Sequence, residues 1–160
     1  RRSPGGAAGR RGAGSTTRVG ACFHGGGAGG GTGGTLMGIA RGLADMGHRA
    51  RCVRVRPTTG VCFQGQPEIC GGIPGVVEGM SSLMDDALVA EEMDIPDTEC
   101  ILAARELCAR GFAVGPSSGL NFAGAKRVAL GLGPGHHVAT VLCDRMERYF
   151  STDLFGDLRA

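Results

Sequence analysis

The pattern of hydrophobic and polar positions predicts short strands separated by helices. Five runs have the composition or alternation of strands, at residues 18–24, 49–56, 86–90, 112–114 and 137–143. The second run alternates charged and apolar residues, and Pro57 ends it because proline cannot donate to a strand ladder. Residues 60–80 are rich in glycine and follow neither period, which predicts a loop.

Three other segments have the spacing of helices. The first covers residues 35–47, and its predicted buried stripe comprises Leu36, Ile39, Ala40, Leu43 and Met46. The second runs from Pro96 to Arg110 before a terminating Gly111, and the third follows the loop at Ser117 through about residue 130. Alternating strands and helices form right-handed βαβ units, so the sequence predicts an α/β fold with a parallel sheet and flanking helices. In such a fold, ligands bind beyond the carboxyl ends of the strands.

A glycine run between the first strand and the first helix predicts an anion site. Its last five residues, directly before the helix, are Gly31, Thr32, Gly33, Gly34 and Thr35. Glycines let the backbone approach a ligand closely, threonine hydroxyls add donors, and the helix N-terminus offers unpaired N–H groups. We interpret residues 31–35 as a cup for a phosphate group.

Two other interpretations of this run have weaker support in the sequence. A Walker-type loop needs a lysine after the glycines, and none is present. The dinucleotide pattern GxGxxG matches residues 25–30, with Asp45 placed 20 residues after Gly25, but so glycine-rich a run matches almost automatically. For residues 25–30 alone, a flexible linker without a ligand is the favoured interpretation.

A second glycine loop, with the sequence GPSSG at residues 115–119, precedes the third helix. Taken alone, Ser117 or Ser118 reads as the N-cap of that helix. Combined with the phosphate cup, the loop becomes a candidate part of the same ligand site.

Composition adds an asymmetry to this picture. Of the 31 glycines among 160 residues, 14 lie within residues 1–34, and residues 1–44 carry six arginines and no acid. We expect residues 1–18 to be disordered, either as organellar targeting sequence or as a stretch joined in error. The absence of Tyr and Phe within them disfavours an RNA-binding tail. We expect residues 19–155 to form the domain and residues 156–160 a tail.

The remaining chemistry-bearing residues predict no further site. Seven scattered cysteines lack metal-ligand spacing, which favours buried free thiols in a reducing compartment. His136 and His137 begin a strand and would point to opposite faces, which is poor geometry for a metal. The acidic residues at 91, 92 and 94 are predicted to lie on the surface in contact with solvent. No apolar run is long enough to cross a membrane, and no nucleic-acid partner is expected.

Three ordered motifs together resemble the second half of a cysteine synthase. They are GTGGT at 31–35, GPSSG at 115–119 and DRMERYFST at 144–152, and the resemblance extends from residue 18 to residue 155. The family is the fold-type-II group of pyridoxal-phosphate enzymes, which includes O-acetylserine sulfhydrylase, cystathionine β-synthase and the tryptophan synthase β-subunit. The GGIPG segment at 71–75 resembles this family's glycine-rich active-site segment.

The resemblance implies a cofactor and a set of residues that contact it. Residues 31–35 would hold the phosphate of pyridoxal 5'-phosphate, Ser117 would hydrogen-bond the pyridine nitrogen, and the backbone of Gly72 would line the substrate side. A serine hydroxyl is a weak acid that leaves this nitrogen unprotonated, which suits elimination and replacement at the β-carbon. Tyr149 and Ser151 are expected to be structural.

The implied reaction is the conversion of O-acetylserine and sulfide into cysteine and acetate. The family's cofactor-linked lysine has no counterpart, because Lys126, the only lysine, lies on a predicted surface stretch; these 160 residues alone are therefore expected to be inactive. Cyanoalanine synthesis, cystathionine synthesis, serine or threonine dehydration, a non-catalytic remnant and a nucleotide-binding module remain alternatives. The resemblance also implies a homodimer and association with serine acetyltransferase. Location in the cytoplasm, plastid or mitochondrion stays open.

Overall fold

The described sheet contains four parallel strands. The computed structural model describes residues 19–24, 34–48, 50–58, 73, 85–151 and 154–155. The strands are β1 (Val19–His24), β2 (Arg51–Pro57), β3 (Glu91–Ile95) and β4 (His137–Thr140), in the order β3-β2-β1-β4. All three pairings are parallel, which confirms the predicted fold class. The predictions for residues 1–18, 60–72, 74–80 and 156–160 lie outside the described residues.

The three predicted helices are all present. They are α1 (Gly34–Asp45), α2 (Asp97–Ala109) and α3 (Pro116–Leu132). Gly47 and Gly111 follow the first two helices with φ of 71° and 93°, a left-handed conformation that suits glycine after a helix. The predicted stripe on α1 is wrong at Met46, which is 66% exposed because the helix has already ended. Met37 is buried instead.

The strand predicted at residues 86–90 is wrong. Residues 86–88 form a single 3-10 turn, capped by the Asp85 carboxylate, which accepts the Ala87 N–H at 3.1 Å. The strand begins only at Glu91, so the run interpreted as solvated acid is β3 itself. These acidic residues can form a strand because the arginines of the neighbouring strand β2 face them.

These opposite charges form a ladder across the two strands. Arg54 pairs with Glu92 at 2.9 Å and Arg56 with Asp94 at 3.1 Å, each directly across the parallel register. Arg51 also contacts Glu91 at the start of the two strands. Opposite charges across a ladder favour pairing by about 0–1 kcal/mol each when partly exposed. Several such pairs let a charged sequence form a strand.

The last two predicted strands differ in length from the observed structure. Residues 112–114 contribute only one antiparallel bridge, between Val114 and Arg145. Strand β4 ends at Thr140 rather than at residue 143, because the Val141 carbonyl accepts a hydrogen bond from the Asn121 side chain at 2.8 Å. The chain after β4 therefore packs along α3.

Helix α3 lies at the centre of the core, between the sheet and α2. One face of the sheet contributes Val53, Val55 and Ile95 to a cluster completed by residues of the two helices, including Leu120, Ala123, Cys100 and Ala103. On the other side, Leu36, Met37 and Ala40 of α1 pack with Cys52. Glycines allow α3 to approach its neighbours closely.

We expect Gly124→Ala to destabilise the protein by about 1–3 kcal/mol through overpacking. A Cβ at position 124 would lie 2.4 Å from Cγ1 of Val55 on β2. Because the obstacle is a side-chain methyl group, the double variant Gly124→Ala with Val55→Ala should be less destabilised than the sum of the two single changes. Urea unfolding of the four proteins measures this coupling. Strict additivity would contradict the packing described here.

Candidate functional site

The helices α1 and α3 begin at the same edge of the sheet, the one where the parallel strands end. Strands β1 and β4 are parallel neighbours, with Cys22 opposite Thr140 near their carboxyl ends. The chain leaves β1 toward the glycine run and α1, while the chain after β4 packs against the first turns of α3. The topology therefore places the start of α1 and the start of α3 at the same edge.

The described N-terminus of α1 has features that favour an anion. The helix starts at Gly34 and Thr35, both exposed, and its first turn contains no acidic residue. The first N–H groups of a helix have no partner within it, and the helix dipole favours negative charge there. Of the candidate phosphate ligands, the structure thus describes these two, while Gly31, Thr32 and Gly33 lie outside the described residues, as does Gly72.

Ser117 occupies the first turn of α3 rather than its cap. The cap position is Gly115, no side chain caps the helix, and Pro116 stands at its start, where its missing N–H costs nothing. The interpretation of Ser117 or Ser118 as an N-cap is therefore wrong. Both serines are buried, at 5% and 0% exposure. A buried hydroxyl needs a hydrogen-bonding partner, and that of Ser118 finds one in the Cys143 N–H.

Cys143 joins the first turns of α3 to the chain after β4. Its N–H donates to the Ser118 hydroxyl at 2.9 Å, and its sulfur accepts the Asn121 amide at 3.4 Å. Although Cys143 is exposed as a whole residue, desolvation of its thiol, followed by the charge of Asp144, raises its pKa to about 11. Hydrogen bonds from Ser117 and Asn121 have a smaller effect that lowers the pKa. The thiol is thus protonated at neutral pH.

Asn121 is a buried polar residue beside Ser117 and Ser118 that motif comparison did not reveal. It is buried to 1% exposure and lies four residues after Ser117, on the same face of α3. The available signal was a polar residue within an otherwise small and apolar helix stretch, since buried polar side chains require dedicated partners.

Asp144 and Tyr149 pack against Gly115, the residue before α3. The Tyr149 hydroxyl donates to Oδ2 of Asp144, while Oδ1 is buried and has no hydrogen-bond partner among the described residues. A Cβ at position 115 would lie 2.3 Å from the Tyr149 ring and 2.6 Å from this Oδ1. Gly115 therefore fits where another residue would collide, and Tyr149 has a packing role at 8% exposure.

Lys126 lies on the surface as the sequence predicts. Its Nζ pairs with Glu106 at 3.0 Å and lies 5.8 Å from the centre of the Phe122 ring. This hydrogen bond is the main cause that lowers the pKa of Glu106. An amine engaged in this way on an exposed face has the features of a surface ion pair.

The described residues show no second site of another kind. Within them, no three His, Cys, Asp or Glu side chains gather to hold a metal, and no helix is long and apolar enough to cross a membrane. The four described cysteines are free thiols, of which Cys52 and Cys100 are buried, Cys108 is half-buried and Cys143 is exposed. The expectation of buried thiols thus holds for the first two.

Comparisons with known proteins show the family of this chain. The family described as pyridoxal-phosphate dependent enzymes matches residues 27–144. The chain belongs to this family. Pyridoxal 5'-phosphate is the family's cofactor, and the resemblance inferred from the three motifs is confirmed. The matched region spans α1 to Asp144, and so includes both helix starts described above.

Curated relatives in this family are cysteine synthases. Cysteine synthase B of Salmonella typhimurium is 38% identical over 129 residues, which are 78% of this chain and 39% of that protein. Cysteine synthase B of Escherichia coli is 36% identical over the same shares. The chain thus spans well under half of the length of the curated relatives it matches.

Solved structures of the family share the fold. A hydrogen sulfide-producing enzyme superposes with a TM-score of 0.71 at 25% identity, covering 86% of this chain and 40% of the other. The O-acetylserine dependent cystathionine β-synthase from Helicobacter pylori gives a TM-score of 0.69 at 25% identity, covering 88% and 44%. The parallel sheet with flanking helices is therefore that of the pyridoxal-phosphate family.

The described residues fit this cofactor chemically. The start of α1 offers backbone donors to a phosphate, with no carboxylate in its first turn to repel it. The first turn of α3 likewise contains no acidic residue and offers a neutral hydroxyl at Ser117. One helix start thus suits the phosphate and the other suits an aromatic nitrogen that accepts a hydrogen bond.

Proposed function

We propose that this chain is the cofactor-binding part of a cysteine synthase that makes cysteine and acetate from O-acetylserine and sulfide. The observation that carries the proposal is the placement of two helix starts at one sheet edge. One start, at Gly34 and Thr35, is exposed and has no acidic residue in its first turn, and the other holds the buried hydroxyl of Ser117. The cysteine synthase relatives support the choice of reaction.

In this proposal, the phosphate of the cofactor binds at the start of α1. The ligands are the backbone N–H groups and threonine hydroxyls of residues 31–35. Neighbouring N–H groups aligned with the helix dipole stabilise the negative charge without a lysine. The backbone of Gly72 lines the substrate side, where a side chain would occupy space that the amino-acid substrate needs.

Ser117 binds the other end of the cofactor in this proposal: its hydroxyl donates a hydrogen bond to the pyridine nitrogen. Bound pyridoxal phosphate supplies an electron sink for chemistry at the substrate's α- and β-carbons. Because a serine hydroxyl is far less acidic than a carboxylic acid, Ser117 leaves the ring nitrogen unprotonated and limits the strength of that sink. This favours loss and replacement of a β-substituent over transamination.

We propose that the amine that binds the cofactor covalently lies in a region corresponding to the part of the relatives that this chain does not cover. Lys126 is engaged with Glu106 on the surface, so these 160 residues are expected to bind the cofactor without turnover. From the resemblance we also propose a homodimer for the whole enzyme and association with serine acetyltransferase. Cystathionine synthesis is the second candidate, favoured by the likeness to the Helicobacter pylori enzyme.

Titration of the chain with pyridoxal 5'-phosphate, followed by cofactor absorbance and fluorescence, tests the proposal. We expect saturable binding, at least tenfold weaker binding of pyridoxal, which lacks the phosphate, and weakened binding in Ser117→Ala. Lys126→Arg is the matched control, because it removes the only lysine amine that could react with the aldehyde while keeping the positive charge.

The control should bind the cofactor as the natural chain does. Binding that disappears in Lys126→Arg would show only a surface reaction and would overturn the proposal. Stabilisation by NAD without any effect of pyridoxal phosphate would favour the dinucleotide interpretation of residues 25–30 instead.

A further inference from the structure

We propose that Asp144 is a specificity-determining residue, which keeps anions away from the start of α3 and so leaves the start of α1 as the binding site for the cofactor's phosphate. The inference rests on the proposed function and deepens it, because it concerns which end of the ligand binds at which helix. It is carried by the packing of the Asp144 carboxylate against Gly115, the residue before α3. A ligand with a phosphate at one end and a ring nitrogen at the other must distinguish two helix starts at the same sheet edge.

The two helix starts are alike in their own residues. Neither first turn contains an acidic residue, and each helix has the positive end of its dipole there. At α3, Pro116 has no N–H, and the N–H groups of Ser118 and Gly119 donate to the Gly115 carbonyl at 3.1 Å and 3.4 Å. The Ser117 N–H, beside the Ser117 hydroxyl, is then the amide of this turn that faces a ligand. By these features alone, either start suits a phosphate.

A carboxylate from another segment distinguishes the start of α3. The Gly115 N–H donates to the Asp144 backbone oxygen at 3.2 Å, which brings residue 144 against the beginning of the helix. The Asp144 side chain lies over Gly115, since a Cβ at position 115 would be 2.6 Å from Oδ1. Tyr149 fixes this orientation by donating its hydroxyl to Oδ2. The negative charge is therefore held at the positive end of the α3 dipole.

This charge is buried and only partly compensated. The Oδ1 atom of Asp144 is buried and has no hydrogen-bond partner among the described residues. A charge away from water is screened less than an exposed one. Its effect extends to Tyr149, whose pKa is raised to about 12 by desolvation and then by the hydrogen bond and charge of Asp144. An anion at Ser117, two residues after Gly115, would be repelled, whereas a neutral ring nitrogen would not.

The acidic residue that the described contacts place beside α1 differs from Asp144 in its exposure. The Asp85 N–H lies 3.2 Å from Sδ of Met37, within the first turns of α1. Asp85 is exposed, and its carboxylate caps the 3-10 turn that follows it. Solvent therefore screens its charge, and Gly34 and Thr35 remain suited to an anion. The buried charge of Asp144 thus separates two helix starts that are otherwise similar.

Phosphate titrations of ¹⁵N-labelled protein test the proposal without the cofactor. In the natural chain, inorganic phosphate should shift the amide resonances of Gly34 and Thr35 and leave that of Ser117 unchanged. Asp144→Asn removes the charge but keeps the shape of the side chain and an oxygen for the Tyr149 hydroxyl. Phosphate should then also shift the Ser117 amide, with an affinity about threefold to thirtyfold higher than in the natural chain, the range of one charge at a helix terminus.

Glu147→Gln is the matched control, because it removes the same charge from a neighbouring residue. The Glu147 carboxylate pairs with Arg145 at 2.8 Å on the surface, so this variant should leave the Ser117 amide insensitive to phosphate. An equal response of Ser117 in Asp144→Asn and Glu147→Gln would overturn the proposal, since net charge alone would then explain it. A Ser117 amide that ignores phosphate in folded Asp144→Asn would overturn it as well.

Tyr149→Phe separates the charge of Asp144 from the packing around it. This change removes the donor to Oδ2 and loosens the same contact with Gly115, but it keeps the negative charge. The Ser117 amide should therefore stay insensitive to phosphate, although the free energy of unfolding falls. If Tyr149→Phe admitted phosphate as Asp144→Asn does, packing and not charge would exclude the anion, and the inference would be wrong.

The outcomes distinguish this inference from the proposed function. If neither inorganic phosphate nor pyridoxal 5'-phosphate shifted the Gly34 and Thr35 amides, the proposed function would fail, and the Ser117 amide of Asp144→Asn would still decide whether Asp144 excludes anions. If phosphate shifted the Ser117 amide of the natural chain as strongly as that of Gly34, the inference would be wrong, while saturable binding of the cofactor would still support the proposed function.

Discussion

Replacing Gly119 by alanine is expected to cost the protein a large part of its stability, about 3 kcal/mol or more out of a typical total of about 5–15 kcal/mol. A Cβ at this position in α3 would lie 2.0 Å from the Cys100 carbonyl oxygen and 2.7 Å from the Ala104 backbone nitrogen. Both atoms belong to the backbone of α2. Relief therefore requires the two helices to separate along the centre of the core.

The same substitution elsewhere on α3 supplies the control. A Cβ at Gly131 would meet no atom within 4 Å, so Gly131→Ala should be neutral or stabilise by up to about 1 kcal/mol through helix propensity. Urea unfolding followed by circular dichroism compares the two variants directly. Equal stability of Gly119→Ala and Gly131→Ala would show that α2 and α3 do not pack as described.

Alkaline pH is expected to unfold the protein well before its arginines lose charge. Burial is the main cause that raises the pKa of Cys100 to about 12, and desolvation followed by the Asp144 hydrogen bond raises that of Tyr149 to about 12. The ordinary values are 9.0 and 10.0. Because the unfolded chain releases these protons at lower pH, stability is complete below about pH 9 and falls steadily as pH rises toward 12.

Unfolding free energies measured between pH 7 and pH 11 in the presence of a reductant check this expectation. Cys100→Ala should lower stability at pH 7 by leaving a cavity, yet it should make the decline above pH 9 shallower, because one titrating group is gone. The slope of the unfolding free energy against pH thus reports the titration of Cys100, and the difference between the two proteins at pH 7 reports the packing of its side chain. A free energy that stays constant up to pH 11 would contradict the burial of these groups.

Local sequence patterns predicted those helices and strands whose own residues show a clear hydrophobic period. The alternation of residues 49–56 and the helical spacing after residues 34 and 96 reappear as β2, α1 and α2. Strand β3 was missed because its sequence, EEMDI, is charged and reads as solvated. What makes it a strand is a row of arginines 38 to 40 positions earlier in the chain, and pairing over that distance has no local signature.

Family motifs in the sequence point to part of the candidate site, and its other described residues belong to no motif. Ser117 stands out through the GPSSG motif, although its place inside the helix and not at its cap depends on Pro116 starting the turn. Asn121 and Cys143 belong to no motif, and their importance follows from a contact across 22 residues. The sequence shows that a buried polar residue needs a partner, and only the packed structure shows which one.

The helix that presents Ser117 is also the most buried element described. From Pro116 to Ala125 every residue but Phe122 is buried, and α3 contacts all four strands as well as α2. A segment so embedded cannot open on its own, so amide hydrogen exchange in these turns should occur only through unfolding of the whole domain. In the proposed cofactor site, Ser117 would therefore stay at a fixed position while the ligand binds and leaves.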